Sequence, residues 1–517
     1  MKTRRAAGAC LWTAPLAAVS LLLAACSSGA STPAGTTVTN PKAARPAGAW
    51  PYPNGDLANT RDAAGSTISS ANVAGLQQAW TFKLPTSEVP SGPSFGSLTG
   101  TPIVTDGVVY LQDLGNNVYA LSLATGKLKW EYKVSPKIVE GGPNGVAVAG
   151  GVVYGDTTTT VFALSARTGK SIWVDEDLLN AGQGTFGIEP QVANGRVYLA
   201  SSIGTGPGGG VLLALNASSG KLLWRFNTIL RGSPSRYGTG GAWETPLVGN
   251  DGSVTFGIGN PYLTAAQAIA HPSSWLYTDS EVNLDATTGK LRWYYQAVPN
   301  DFMDHDMQTS PIAATINGVP AVIGGGKMGV VYAMNASTGK LIWKTPVGEH
   351  SNSDSYSLEA MEHKLTLTAP YTVLPGSLGG LLSNPALAGN TVYVATVDQK
   401  FTLAKMSYPL GAPDGPGTGQ IEALDLATGK VEWDTRVPAM PMGAATVSNN
   451  LVFTTLYRGV LIALNRATGA IVYQHKLPTS ANAPIAIAGN AILVPAGGPS
   501  LYGPKGGSPQ LVVYTIP

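Results

Sequence analysis

An all-β ring, a propeller of eight four-stranded blades closed by pairing the chain's two ends, is the fold this sequence predicts, and three observations predict it. A phrase recurs in which an apolar strand ends in Thr-Gly or Ser-Gly and meets a large aromatic four residues after the glycine. A tight turn of the kind that demands positive φ occurs once per repeat. The first and last segments of the repeat region are two half-units that complete each other.

The phrase occurs seven times: ALSLATGKLKW ending at Trp130, ALSARTGKSIW at Trp173, ALNASSGKLLW at Trp224, NLDATTGKLRW at Trp293, AMNASTGKLIW at Trp343, ALDLATGKVEW at Trp433 and ALNRATGAIVY at Tyr473. Its glycines lie 40 to 90 residues apart. That is the spacing of radial β-repeats, in which one unit cannot bury its apolar face alone and must stack on its neighbours. Glycine at the turn admits a backbone conformation closed to other residues, and the aromatic is placed to stack between blades. The repeated tryptophans therefore read as docking groups rather than ligand contacts.

The turns fall at Asp106-Gly107, Gly150-Gly151, Asn194-Gly195, Asp251-Gly252, Asn317-Gly318, Gly389-Asn390, Asn449-Asn450 and Gly489-Asn490. Each is flanked by short Val/Ile/Tyr-rich runs, the strongest local signal for a hairpin. Eight hairpins against seven phrases leave one blade short of its outer strand. LQQAWTFKLP around Trp80 has the aromatic strand without a preceding Thr-Gly, and QLVVYTIP at the C-terminus ends where such a strand should begin. Pairing the two closes the ring and removes the free edges that invite aggregation.

Charged residues make up 12% of the 517, against roughly 25% in typical soluble proteins. No basic stripe is present, which argues against a nucleic-acid partner. Residues 1–25 read as an export signal, with Lys2, Arg4 and Arg5 followed by an apolar run through Leu21-Leu22-Leu23. Removing those three cations from 32 leaves 29 basic residues against 30 acidic ones, so the mature chain is close to neutral.

Leu23-Ala24-Ala25-Cys26 resembles a bacterial lipobox, which implies cleavage before Cys26, lipidation of its thiol and an extracytoplasmic protein anchored to the bacterial membrane through that lipid alone. No other stretch approaches the roughly 20 apolar residues of a spanning helix. Cys10 lies within the signal, so the mature chain can form no internal disulfide. Residues 26–47, rich in Ser, Thr, Pro and Ala, read as a flexible tether, and 48–517 as the propeller.

Repeats of the form A-L-D-A-x-T-G-K-x-x-W resemble the quinoprotein alcohol dehydrogenases, eight-bladed propellers that bind pyrroloquinoline quinone (PQQ). The resemblance begins at Trp50 to Arg61, WPYPNGDLANTR, similar to that family's W-x-x-Y-G-x-D-x-A-x-T-R, and runs through the last blade. YYQAVPNDFMDHD resembles its Y-Q-x-x-P-H-D-x-W-D-x-D segment. On this resemblance Asp304 is the general base and a metal contact, and Asp306 is the further carboxylate of the lanthanide-using subgroup. Asn260 in FGIGNP matches the metal-binding asparagine, Trp243 in GTGGAWETP the tryptophan on which the quinone stacks, and Lys327 in GGKMGVVYAMN the lysine that bonds a quinone oxygen.

Independently of the family, two carboxylates two residues apart on an extended segment project to one side, where a hard cation takes both. His305 between them should then point away. Trp243 could equally be core, Lys327 a solvated strand end, Asn260-Pro261 a plain turn, and Asp301, Asp304 and Asp306 a polar surface loop.

The sequence also departs from the family. The metal-binding glutamate is replaced in SIGTGPGGG, at Thr205 or a neighbour, with Glu189 a candidate substitute. The arginine expected to grip a PQQ carboxylate is Asn144, the family's Asn-Trp is Leu382-Ser383, Met303 stands where a tryptophan is expected, and the adjacent cysteines over the quinone are absent.

The resemblance implies a PQQ-dependent dehydrogenase with Ca²⁺ or a lanthanide, acting on a small hydroxylated substrate. The sequence has no C-x-x-C-H haem motif, so a separate cytochrome or other acceptor is expected. The five histidines show no zinc-like spacing, and neither a G-x-S-x-G elbow nor a phosphate loop is present. Two other readings fit the departures: a scaffold lipoprotein similar to the propeller of outer-membrane protein assembly, and a binding module for an extracellular polymer or peptide.

Overall fold

A computed structural model describes residues 48–85, 96–134, 142, 144–202, 209–229, 240–273, 275–351, 355–407 and 412–517. The signal, Cys26, the tether and Thr205 lie outside the described residues.

The short apolar runs pair into eight four-stranded antiparallel sheets. Blade 1 spans 103–132, blade 2 147–175, blade 3 191–227, blade 4 247–296, blade 5 312–346, blade 6 386–437 and blade 7 446–476; blade 8 combines 486–515 with 77–83. The middle strands face neighbouring blades on both sides and are largely buried, as in Leu451–Leu456, where every residue is buried, Thr454 and Thr455 included. The outer strand shows one face to water and alternates, as in Ile471–Lys476. All eight expected turns join the first two strands of a blade; in blade 4 the connection is longer, from Gly249 to Gly252.

The ring closes as the two half-units require. Gln77–Lys83 runs antiparallel to Gln510–Thr515, with Thr81 opposite Val512 and Phe82 opposite Leu511.

The recurring phrase works across the joint between blades. At Gly339 (φ +68°) a Cβ would come within 2.6 Å of the Trp293 ring of the preceding blade, so only glycine lets the indole lie flat on the turn. The same indole donates its Nε1–H to Ala336 O at 2.7 Å. Trp130 to Ala166 O, Trp173 to Ala217 O, Trp224 to Ala286 O, Trp343 to Leu426 O and Trp433 to Arg466 O repeat the bond, and Trp80 closes the ring onto Leu123 O at 2.8 Å. Each indole thus buries a ring and satisfies its own donor. Trp343→Ala should cost about 3–5 kcal/mol in urea unfolding.

Trp50 to Ala63 crosses the inner strands of the ring. Trp50 pairs with Val104 of blade 1, Ala58 O accepts from Ala313 N of blade 5, Thr60 O from Leu387 N of blade 6, and Ala63 N donates to Val447 O of blade 7. Arg61, fully buried, reaches further: Nε to Ala445 O at 3.0 Å, Nη2 to Thr446 Oγ1 at 2.8 Å and to Ile485 O at 2.6 Å, Nη1 to Asn54 Oδ1 at 3.0 Å. One guanidinium therefore fastens this segment to blades 7 and 8.

Among the described residues, a three-stranded sheet (Tyr371–Val373, Phe401–Leu403, Ala412–Pro413) and two short α-helices, Ala265–Ala270 and Tyr356–Met361, lie outside the blades. The sheet and the second helix fall within the 90-residue gap between Gly339 and Gly429. No described helix is long and apolar enough to cross a membrane.

Candidate functional site

The end of blade 4's second strand and the loop between blades 4 and 5 bring three expected residues together. Strand Ser253–Ile258 runs into Gly259-Asn260, where a Cβ on Gly259 would lie 2.6 Å from Asp306 Oδ1 and 3.0 Å from Trp243 Nε1. The bare glycine lets the carboxylate and the indole close on the backbone. Asn260 N donates to Asp306 Oδ1 at 2.7 Å, and Asn260 Nδ2 donates to Asp306 Oδ1 at 2.8 Å and to Asp304 Oδ1. Asn260 Oδ1 accepts from Tyr262 N at 2.6 Å, so the amide turns its nitrogen to the carboxylates.

Lys327 follows strand Val319–Gly326 of blade 5. Its Nζ lies 3.0 Å from Asp304 Oδ2 and 2.5 Å from Asp306 Oδ2. It is buried, not a solvated strand end, and Asp301, Asp304 and Asp306 are equally far from a surface loop.

The two carboxylates do converge, but not by strand alternation. Asp304 adopts φ +64°, a left-handed conformation that interrupts the extended run the alternation requires. His305 points away as expected, with Nδ1 2.9 Å from Tyr356 OH and Nε2 3.2 Å from Pro375 O.

Burial governs the electrostatics. It pushes the Asp304 carboxyl up to about 8 against the opposing pull of Lys327, with Asp306 adding to the rise. Burial would by itself lower the Lys327 ammonium, yet Asp304 and Asp306 outweigh it and hold it above its ordinary value. Asp279, also buried, is raised by desolvation and by Asp301 and Asp306. Asp279, Asp301, Asp304 and Asp306 are all buried, and Lys327 pairs with Asp304 and Asp306, which leaves an excess of carboxyl groups that protons or a bound cation must offset.

A cavity of about 230 Å³ opens beside this cluster. Trp243, Glu244, Tyr262, Gln308 and Lys327 form its polar side, and Met440, Met442, Tyr457 and Leu501 line it elsewhere. An apolar concavity with a few convergent polar groups is the make-up of a small-molecule site. Trp243 is half-buried on the wall rather than in the core. Leu382 and Ser383 also line the cavity.

One further expectation fails. Glu189 is no substitute ligand. Its carboxylate accepts from Thr101 N and, at 3.3 Å, from Thr101 Oγ1, and it takes no place in the Asp304 cluster. Met303 does not line the cavity but packs behind the loop in a core shared with Phe302 and Met307. Asn144 is buried and donates to Asn116 Oδ1 at 2.7 Å. Tyr262, Gln308 and Glu244 escaped the sequence reading, although Tyr262 and Gln308 each lie two residues beyond a chosen residue.

Glu189 and Glu244 yield a pH prediction. Burial pushes both up to about 8, Glu189 further under the charge of Glu244, while Asn384 and Arg61 partly offset the rise at Glu244. Their native pKa lies above the unfolded value near 4.5, so the native state keeps protons that the unfolded chain has released. This stability is fully present below about 4.5 and is lost as pH climbs to about 8. The melting temperature of the ligand-free protein should fall as pH rises across that window, and a rise there would contradict the assignment.

The donors fit the groups that the resemblance implies. Half-buried Trp243 offers an aromatic wall and Lys327 an ammonium for a flat anionic quinone. Asp304 and Asp306 are hard oxygen donors with surplus charge, suited to a hard cation. Among the described residues no group of three or more His, Cys, Asp or Glu is arranged to hold a metal, so any such site would need the asparagine or the ligand itself as a further donor.

Comparison with known proteins agrees with the architecture. Residues 50–393, more than half the chain, match the family described as "PQQ: Glucose/ethanol/alcohol dehydrogenase, beta-propeller domain", and residues 417–503 match "Outer membrane protein assembly factor BamB". The chain is 27% identical over 371 residues to the dehydrogenase subunit of the quinone alcohol dehydrogenase of Gluconobacter oxydans (strain 621H), covering 60% of this chain but only 47% of that protein. It is 26% identical over 545 residues to the putative dehydrogenase XoxF of Paracoccus denitrificans, covering 89% of this chain and 87% of that one. A europium-containing methanol dehydrogenase superposes with a TM-score of 0.76 at 21% identity, covering 91% of this chain and 98% of that one, a likeness of fold. With its blades, its closing strands and more than half its length in agreement, the chain belongs to the family of glucose, ethanol and alcohol dehydrogenase β-propeller domains.

Proposed function

We propose that this chain is a lipid-anchored, extracytoplasmic PQQ-dependent dehydrogenase that oxidises an alcohol or another small hydroxylated compound. The observation that carries the reading is the meeting of Asp304, Asp306, Asn260 and Lys327 beside a cavity walled by Trp243. Trp243 and Lys327 would hold PQQ, and Asp304, Asp306 and Asn260 would hold Ca²⁺ or a lanthanide. When bound, the quinone supplies a two-electron acceptor and the cation a Lewis acid.

The protein's own residues do the rest. Asp304 takes the substrate's hydroxyl proton as the carbon–hydrogen bond is given up, and Lys327 holds that carboxylate in place through its 3.0 Å contact. Reducing equivalents would leave to a separate cytochrome or other acceptor, and lipidated Cys26 would keep the ring at the membrane.

The match of residues 417–503 to an assembly factor favours a second reading, a scaffold propeller without cofactor. One experiment separates them. The purified protein, given PQQ with Ca²⁺ or La³⁺, should melt at a higher temperature and reduce an artificial dye with simple alcohols. No stabilisation with either metal, or stabilisation untouched by Asp304→Ala, would leave the scaffold reading. A Cys26→Ser protein should leave the membrane fraction.

A further inference from the structure

The loop that presents Asp304 is held from behind. Asp304 sits at φ +64°, a conformation uncommon for a residue with a side chain and one that its surroundings must favour to hold it in one place. Asp301 imposes it: Oδ1 accepts from Met303 N at 2.9 Å and Oδ2 from His305 N at 2.9 Å, so one carboxylate clamps the amides on both sides of Asp304. Asp301 is fully buried and is itself held by a third donor, the hydroxyl of Tyr356.

Tyr356 belongs to another part of the chain. It opens the helix Tyr356–Met361 in the long connection between blades 5 and 6. Its ring meets Phe302 edge-on at 4.8 Å between centroids, and its hydroxyl lies 2.9 Å from His305 Nδ1. Asp301, Tyr356 and His305 therefore form a closed polar triangle on the rear of the loop. Lys327 and Asn260 engage the front. Tyr356 does not line the cavity.

We propose that Tyr356 is a positioning residue for Asp304, acting through the Asp301 clamp, so that the blade 5–6 connection sets the aim of the base. This rests on the dehydrogenase reading for its catalytic consequence but not for its structural one. Without the hydroxyl, Asp301 loses a charge-assisted partner, and the two amides it grips open to solvent more often.

Tyr356→Phe in the full-length protein tests it, since phenylalanine keeps the ring contacts with Phe302 and His305. Hydrogen exchange of the Met303 and His305 amides, measured without cofactor, should quicken about tenfold relative to wild type, the size expected for one lost bond to a charged group. With PQQ and Ca²⁺, kcat for an alcohol should fall about tenfold or more while KM stays unchanged, the pattern of an interaction that aims the base rather than binds substrate. Phe302→Leu is the control, loosening the same packing with the hydroxyl in place.

Unchanged exchange at both amides in Tyr356→Phe overturns the proposal. So does equal quickening in Phe302→Leu, which would assign the effect to packing. If wild type itself shows no dye reduction, the dehydrogenase reading falls, while the exchange arm still reports on the clamp.

Discussion

Asp304→Asn should cut alcohol oxidation by about 10²–10⁴-fold, the range expected for removing a general base, while leaving the ring folded. Asparagine preserves the shape of the side chain, and Lys327 keeps its partner in Asp306 at 2.5 Å. Removing a carboxylate that burial and the charges of Asp306 and Asp301 disfavour also relieves like-charge repulsion, so the ligand-free variant should melt no lower than wild type. The gain in melting temperature on adding Ca²⁺ or La³⁺ should shrink at the same time. Dye-linked kinetics and thermal melts with and without metal check both halves. Full activity, or a fall in ligand-free stability, would remove Asp304 from the role given to it.

Arg61→Ala should destabilise the protein by at least about 3 kcal/mol in urea unfolding. The guanidinium is fully buried and serves the backbone carbonyls of Ala445 and Ile485, with Pro53 O at 3.4 Å, as well as Thr446 and Asn54. Truncation takes this donor from Ala445 O and Ile485 O and unfastens the N-terminal segment from blades 7 and 8. It also takes away positive charge that moderates Glu189 and Glu244. Arg61→Lys should not restore the loss, because one ammonium cannot span both carbonyls as the forked guanidinium does. The size of the effect distinguishes a keystone of the ring from a surface arginine, whose loss would cost under about 0.5 kcal/mol.

The blades were legible because they depend on local chemistry that repeats. Thr-Gly or Ser-Gly four residues before an aromatic marks every tryptophan joint except the one made by Trp80, and that exception was recoverable from the unmatched strand at the C-terminus. The bond from each indole to a carbonyl of the next blade was not visible, because it links residues 33 to 83 positions apart that no motif connects. The sequence showed Arg61 only as part of a resembling segment. Its hold on Ile485, 424 residues away, is a property of the closed ring alone.

The site was legible where a motif carried it and opaque elsewhere. Asp304, Asp306, Asn260 and Lys327 meet as the resemblance implied, yet the alternation argument gave the right convergence for the wrong reason, since Asp304 is left-handed. Glu189 looked close along the chain and proved to belong to Thr101, because distance along a propeller says little about which inner strand a side chain crosses to. Tyr356 lies in the irregular connection between blades 5 and 6, where no periodic pattern guides a reading.

Equilibrium dialysis of PQQ against the purified protein with Ca²⁺ or La³⁺ tests the central claim most directly. Saturable binding of one PQQ per chain, lost in Lys327→Ala and weakened in Asp304→Asn, is the predicted result. Absence of saturable binding with either metal, or binding indifferent to both substitutions, would contradict it.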